Sequence, residues 1–436
     1  MKVALLFEHF GPYHFARLRA AAARGEVVGV EFSRKSGEYG WEVTKSAESL
    51  RLETLFRDRL DDDVSLPEIQ QRFTEAMDRL APDVVAVPGW GARFSLVAIA
   101  WCHQRKVPLV LMSESTPWDD VRRPVKECMK GILLGFASAA LVGGGIHRDY
   151  LVGLGVPSDR IYLGYDAVDN DYFSTRTDAV RRAAGEARLK AGLPDRYFLA
   201  SCRFIRKKNL ARLIAAYARY RTLNMGAGGA TTAQPPWHLV LLGDGPLRPA
   251  IEAQIEALNL RGCVHLPGFK QYPELPVYYG LAQAFIHAST VEQWGLVVNE
   301  AMASGLPVLV SDRCGCTHCL VDEGVNGFAF DPTSPDQLAR LMLQIASLPS
   351  PPPNLVTRTE APLTLAAFGA ASRRIVAAWG SDRFGEGLLA AANWAHQVGP
   401  LHVSLLQRLV LALLLRWPAF RSEMGSWQWR STGKKT

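Results

Sequence analysis

The stretch Ser289–Ser311, STVEQWGLVVNEAMASGLPVLVS, decides how this chain folds. Ala284–His287, just before it, reads as a buried strand. A loop with Glu292 follows, and the Trp294-Gly295-Leu296 turn opens a helix that carries Glu300 and ends near Gly305. Pro307 then begins another strand. A helix that starts straight after a buried strand is a ready anion site, because its free N–H groups and positive dipole end point at one spot. Gly295 lets a ligand approach the backbone closely. A carboxylate repels phosphate but accepts hydrogen bonds from hydroxyls. Glu292 and Glu300 therefore suit a ligand that is part phosphate and part polyol. They fall on opposite sides of the turn, which disfavours the paired acids of a glycosidase facing one sugar carbon.

Working outward, the same alternation recurs. Tyr197–Ser201 reads as a strand, and Cys202-Arg203-Phe-Ile-Arg206-Lys207-Lys208-Asn209 turns it into a helix over Asn209–Thr222. Arg203 and Lys208 then lie at the carboxyl end of a parallel sheet, where open α/β sheets bind ligands, and their charge suits a diphosphate. His238–Leu242, with the turn Gly243-Asp-Gly245-Pro246, and Val264–Leu266 add strands. The Gly/Ala/Thr-rich run 224–236 and the proline-rich run 347–354 read as loops. In the first half, Val3–Phe7, Val27–Phe32, Val84–Val87, Leu109–Met112 and Ala139–Val142 read as buried strands between helical segments. A charged helical stretch over 177–190 ends at Gly192-Leu-Pro194. The expected architecture is α/β: two tandem Rossmann-like doubly wound domains, 1–193 and 194–381. Helices over 382–436 form a C-terminal extension that could cross back to the first domain.

Composition narrows the function. Hydrophobic residues at 48% and charged residues at 21% fit a globular chain rather than a disordered one. From Leu401 onward six basic residues face one acid, which leaves the rest of the +7 chain nearly neutral, so nucleic acid is not an expected partner. Seven cysteines in 436 residues do not make a disulfide scaffold. The first apolar run stops at Glu8, short of a secretion signal, and no run approaches the about 20 apolar residues of a membrane span. A cytoplasmic location follows as the expectation.

The second half resembles the donor domain of glycosyltransferase family 4, of GT-B fold. The family's E-x7-E motif corresponds to Glu292 and Glu300, its Arg-x4-Lys pair to Arg203 and Lys208, and its G-D-G-P turn to Gly243–Pro246. Its strand-Gly segment before the base is similar to Leu266-Pro-Gly268-Phe269, and its Asn-Gly turn to Asn326-Gly327. The run Ile161–Phe173 is similar to the segment near the end of the family's acceptor domain. The resemblance implies a retaining transferase that uses a nucleotide-diphosphate-sugar as donor substrate and needs no metal or other cofactor. Arg203 and Lys208 would neutralise the diphosphate, Glu292 would bind the transferred sugar, and Glu300 the ribose. Backbone groups at Gly295 and Leu296 would hold phosphate, and Gly268 and Phe269 would pass near the base. A sugar-phosphate synthase or nucleotide-sugar epimerase shares this fold, and a non-catalytic nucleotide-sugar-binding module is the alternative of another class.

On the acceptor side, Gly11 and His14 follow the first strand, where the family has its Gly-rich loop, although this chain has a single glycine there. Many members place a histidine where this chain reads Ser113-Glu114-Ser115. Glu114 suits sugar or acceptor contact, or is an ordinary loop acid; His14 equally suits a helix start. Leu401–Trp417 is nearly apolar with basic and Trp flanks, which fits a helix in a membrane interface or one packed on protein. Membrane contact through 401–436 would place the chain at the inner face of a membrane, with a lipid-linked acceptor as in envelope polysaccharide assembly. The soft-ligand cluster Cys314-Gly-Cys316-Thr-His318-Cys319 lacks a second CxxC, and reads as a tight loop beside the donor site rather than a zinc site.

Overall fold

The computed structural model describes residues 1–34, 50–225, 235–349 and 363–416. Most of the loop at 224–236, most of the loop at 347–354, and the tail beyond Arg416, with Trp427, Trp429, Arg430, Lys434 and Lys435, lie outside the described residues. The chain forms two compact units, one made of 1–167 with 381–436 and the other of 168–380.

Among the described residues, the first unit holds β1 (Lys2–Phe7), β2 (Glu26–Ser33), β3 (Leu52–Phe56), β4 (Val84–Pro88), β5 (Leu109–Ser113), β6 (Ala139–Val142) and β7 (Ile161–Leu163). They form one parallel sheet in the order β3-β2-β1-β4-β5-β6-β7. The second unit holds β8 (Tyr197–Ser201), β9 (His238–Leu242), β10 (Val264–Gly268), β11 (Ala284–His287), β12 (Val308–Ser311) and β13 (Gly327–Phe330), in the order β10-β9-β8-β11-β12-β13. The strand order reverses between β1 and β4, and again between β8 and β11. Crevices open at such switch points, at the carboxyl ends of the strands.

The central strands of both sheets are buried on both faces, as continuous apolar strands require. In the first unit one face is closed by helices Leu66–Leu80, Arg93–Arg105 and Leu405–Arg416, through Phe73, Phe94, Leu411 and Leu414. The other face is closed by helices Pro12–Ala22 and Ser381–Val398, through Phe15, Leu18, Phe384, Leu388 and Ala392. Two glycines set the second packing: a Cβ at Gly385 would stand 2.9 Å from Ala20 O, and one at Gly387 2.4 Å from Leu163 O.

The structure corrects the expected boundary at 193/194, since the chain enters the second unit at Val168. Helices Asn170–Arg182 and Ala184–Ala191 take the place of one charged helix. The first of them buries Phe173 and Thr177, and Arg181 Nε donates to Gly280 O (3.0 Å) on helix Leu275–Leu281. Asn170 also donates from its amide to Val376 O (2.8 Å), and Val168 bridges Gly380. The charged stretch 177–190 therefore belongs to the second unit, anchored just before it by the buried Phe173. Strands β3, β7 and β13 lie beyond the sequence reading: they are short, and β3 is half-buried at the sheet edge.

Candidate functional site

The second unit gathers its predicted residues at the carboxyl edge, around the β8/β11 reversal. The loops after these strands are stitched together. Thr290 N–H donates to Lys207 O (2.8 Å), and the Asn209 amide donates to Ala288 O (3.1 Å) and Pro332 O (2.8 Å). Asn209 adopts φ +59°, which Asn tolerates better than most residues, and so turns the short Arg206–Lys208 coil into helix Leu210–Met225. This stitching carries Lys208 onto Glu292, which it meets as an ion pair and hydrogen bond.

Glu292 is held on every side. Lys207 Nζ lies 3.4 Å from Oε1, while Ser289 Oγ (3.2 Å) and His287 Nε2 (3.4 Å) face Oε2. Burial pushes its carboxyl up, but Lys208, then His287 and Lys207, outweigh burial and hold it well below the usual carboxylate range. His287 is itself buried, and burial lowers its pKa despite the raising effect of Glu292. A neutral ring that donates from Nε2 fits this position. Arg203 stands half-buried five residues before Lys208. It and Lys208 act on the adjacent Cys202 thiol, which burial nonetheless pushes up to about 12.

Gly295, at φ +107°, caps helix Leu296–Ala303. Val298 N–H donates to Gly295 O (2.8 Å), so Gly295 and Leu296 head the helix as expected. The turn is fixed from below by Trp294, whose indole donates to Asn299 Oδ1 (2.8 Å) and packs on Trp379. Glu300 lies on the same helix, 1% exposed, and accepts from Tyr279 Oη at 2.6 Å. Gly268 (φ +83°) ends β10, and its carbonyl accepts from Gly243 N–H (3.0 Å). Phe269, next to it, is 44% exposed.

The cysteine loop clasps this site from behind. Glu292 N–H donates to Arg313 O (3.1 Å), Gly315 N–H to Glu292 O (3.2 Å) and Cys316 N–H to Trp294 O (3.2 Å). Cys314 and Cys316 are buried while His318 is exposed. Among the described residues no group of three or more His, Cys, Asp or Glu is placed to hold a metal ion.

In the first unit, Gly11 N–H donates to His14 Nδ1 (3.2 Å), and the ring packs on Phe7 at 4.3 Å. Burial, then Arg17 and His9, keep His14 well below its ordinary pKa. Glu114, half-buried at the end of β5, neighbours two groups that the sequence reading missed. Tyr165 and Asp166 are pushed up by burial first and by Glu114 second. Asp166 is 1% exposed, and Arg17 Nη2 stands 4.0 Å from its Oδ1 while Arg17 Nε donates to Ala167 O (3.1 Å). Trp90, in the loop after β4, is buried in the core beneath Lys130. Also unforeseen were His287, Ser289 and Tyr279. His287 had a visible signal, as a polar residue closing a buried strand at the carboxyl edge.

Residues 186–360 match the family model of glycosyl transferases group 1. An alpha-monoglucosyldiacylglycerol synthase of Acholeplasma laidlawii is 26% identical over 162 residues, 37% of this chain and 37% of that protein. An alpha-D-kanosaminyltransferase of Streptomyces kanamyceticus is 29% identical over 186 residues, 42% of this chain and 44% of that one. The chain thus spans less than half the length of these curated relatives. The crystal structure of Anabaena Alr3699/HepE in complex with UDP-glucose is similar with a TM-score of 0.65 at 17% identity, covering 90% of this chain and 99% of that one. Residues 186–360 are therefore similar to the glycosyl transferases group 1, and the chain has a GT-B fold.

Proposed function

We propose that this protein transfers a sugar from a nucleotide-diphosphate-sugar to an acceptor hydroxyl, retaining the anomeric configuration and using no metal. The observation that carries this reading is the Lys208–Glu292 pair below the Gly295 helix start, with Glu300 buried on the same helix. In this reading the bond from the sugar's anomeric carbon to the diphosphate breaks while the acceptor oxygen bonds to the same face. The acceptor proton passes to the leaving phosphate oxygen. Lys208, Arg203 and the N–H groups at Gly295 and Leu296 stabilise the charge that develops on the diphosphate. Glu292 accepts from hydroxyls of the transferred sugar, and Glu300 from the ribose. Gly268 and Phe269 border the base. Gly11, His14 and Glu114 of the first unit contact the acceptor. Two relatives have names that point to lipid-bound acceptors: the Acholeplasma synthase and a Campylobacter jejuni transferase acting on a diphospho-undecaprenol sugar. Both favour a lipid-linked acceptor here.

The test is nucleotide release from a panel of nucleotide-diphosphate-sugars with a metal chelator present. Lys208→Ala and Glu292→Gln should each lower turnover by about 10²–10³-fold, the usual effect of removing one preorganised electrostatic group, while circular dichroism at the assay temperature stays that of the folded parent. Turnover unchanged in both variants would overturn the assignment. Donor binding without any turnover would identify a binding module instead.

A further inference from the structure

Helix Leu405–Arg416, LLQRLVLALLLR, is apolar on the wrong side as well as the right one. Its inner face is accounted for. Leu411 and Leu414 join the first unit's core, and Gln407 donates to Ile132 O (3.4 Å). At 100° per residue, Leu405, Leu409, Ala412 and Leu413 fall on the opposite face, with Leu406 at its margin. Leu405 is 71% exposed, Leu406 60%, Leu409 54% and Leu413 46%. A single exposed leucine needs no explanation, but four on one helix face form a patch that soluble surfaces rarely present. Val125, on the helix Pro124–Leu134 that this one packs against, is 70% exposed as well.

The charges identify the occupant. Arg408 and Arg416 are the charged residues of this helix, both are exposed, and no acid occurs between Leu401 and Ser422. A second copy of the chain is disfavoured, since a two-fold contact would set the same cations against each other. The helix is about 18 Å long, too short to cross a bilayer and long enough to lie along one. Among the described residues no helix is long and apolar enough to cross a membrane. We propose that the outward face of Leu405–Arg416 is a docking surface for an anionic phospholipid bilayer, with Leu405, Leu406, Leu409 and Leu413 inserted among acyl chains and Arg408 and Arg416 at the phosphates. This deepens the reading of a lipid-linked acceptor and rests on it for its purpose. The test below contains no sugar donor, so failure of docking and failure of transfer are separate results.

The experiment is flotation of the full chain with phosphatidylcholine vesicles and with mixed phosphatidylcholine–phosphatidylglycerol vesicles. The chain should float with the mixed vesicles, float less with the neutral ones, and be released by salt. The variant Leu405→Gln, Leu409→Gln, Leu413→Gln should lose vesicle partitioning by about tenfold or more, with circular dichroism and nucleotide-sugar binding in solution unchanged. Should the triple variant lose helical signal, Leu409→Gln alone is compared with the parent in the same way. Three results would overturn the proposal: a parent chain that stays in solution with both vesicles, a variant that floats like the parent, or a parent dimer that the variant breaks without any vesicle binding.

Discussion

At the residue scale, two carboxylates in this protein are tuned in opposite directions. Glu292 is surrounded by Lys208, Lys207 and His287 and stays ionised. Asp166 is enclosed, with Glu114 beside it and only Arg17, at 4.0 Å, to oppose the effect, so its pKa is raised well above the ordinary range. Glu8, Tyr165 and His14 border the same cluster. A carboxyl raised on folding binds more protons in the native chain than in the unfolded one. Stability is therefore lost as pH rises above the unfolded value of about 4 toward the folded one. Asp166→Asn removes that titration. Its unfolding temperature should gain on the parent as pH rises from about 5 to about 8, by about 2–4 °C, the shift that about 1 kcal/mol produces in a unit of this size. A difference independent of pH would refute this account. Neither environment was legible in the sequence. Glu292 was found through its spacing to Glu300, which is local, but its partner Lys208 lies 84 positions away. Asp166 had no local mark at all.

At the scale of elements, the donor side depends on strand-to-helix turns that only particular backbones can make. Gly243 has φ +132°, and a Cβ there would stand 2.0 Å from Cys202 O. That carbonyl cannot retreat easily. The chain around it is tied by Cys202 N–H to Leu242 O (3.0 Å) and Phe204 N–H to Asp244 O (2.8 Å). Gly262 also has positive φ, +78°, but has open space around the missing Cβ. The two positions separate strain from collision. Gly262→Ala should destabilise by about 1 kcal/mol through its backbone alone, whereas Gly243→Ala should reach about 3 kcal/mol or more because a collision is added. Denaturant unfolding of both variants measures the difference, and equal losses would refute it. Turns of this kind were readable beforehand because Gly-Asp-Gly-Pro is local chemistry. The hydrogen bonds by which the Cys314–Cys316 loop clasps Glu292 and Trp294 were not, since backbone N–H and C=O groups paired across about 20 residues leave no mark in residue type.

At the scale of the whole molecule, the first unit is discontinuous in sequence. Helix Ser381–Val398 returns to it after the second unit is complete. There it closes one sheet face with Phe384, Leu388, Ala391, Ala392 and Ala395, none of them accessible to solvent. Arg24 pairs with Asp382 at 2.8 Å and with Glu386 at 3.3 Å at the rim. Local periodicity announces a helix there but not the surface that it covers, which lies more than 350 positions away in the chain. Burial of Phe384 and Leu388 alone contributes about 3–6 kcal/mol, at about 1.5–3 kcal/mol for each large apolar side chain. That is comparable with the whole stability of an ordinary domain, about 5–15 kcal/mol. A fragment ending at Ala167 should therefore fail to fold cooperatively and should expose the faces of β4, β5, β6 and β7. Joining 1–167 to 381–416 through a flexible linker should restore a cooperative thermal transition. The contrast needs both fragments, measured by circular dichroism and dye binding. A cooperative transition in 1–167 alone would mean that the returning helix is an accessory to the unit, whereas rescue by 381–416 makes it part of the fold.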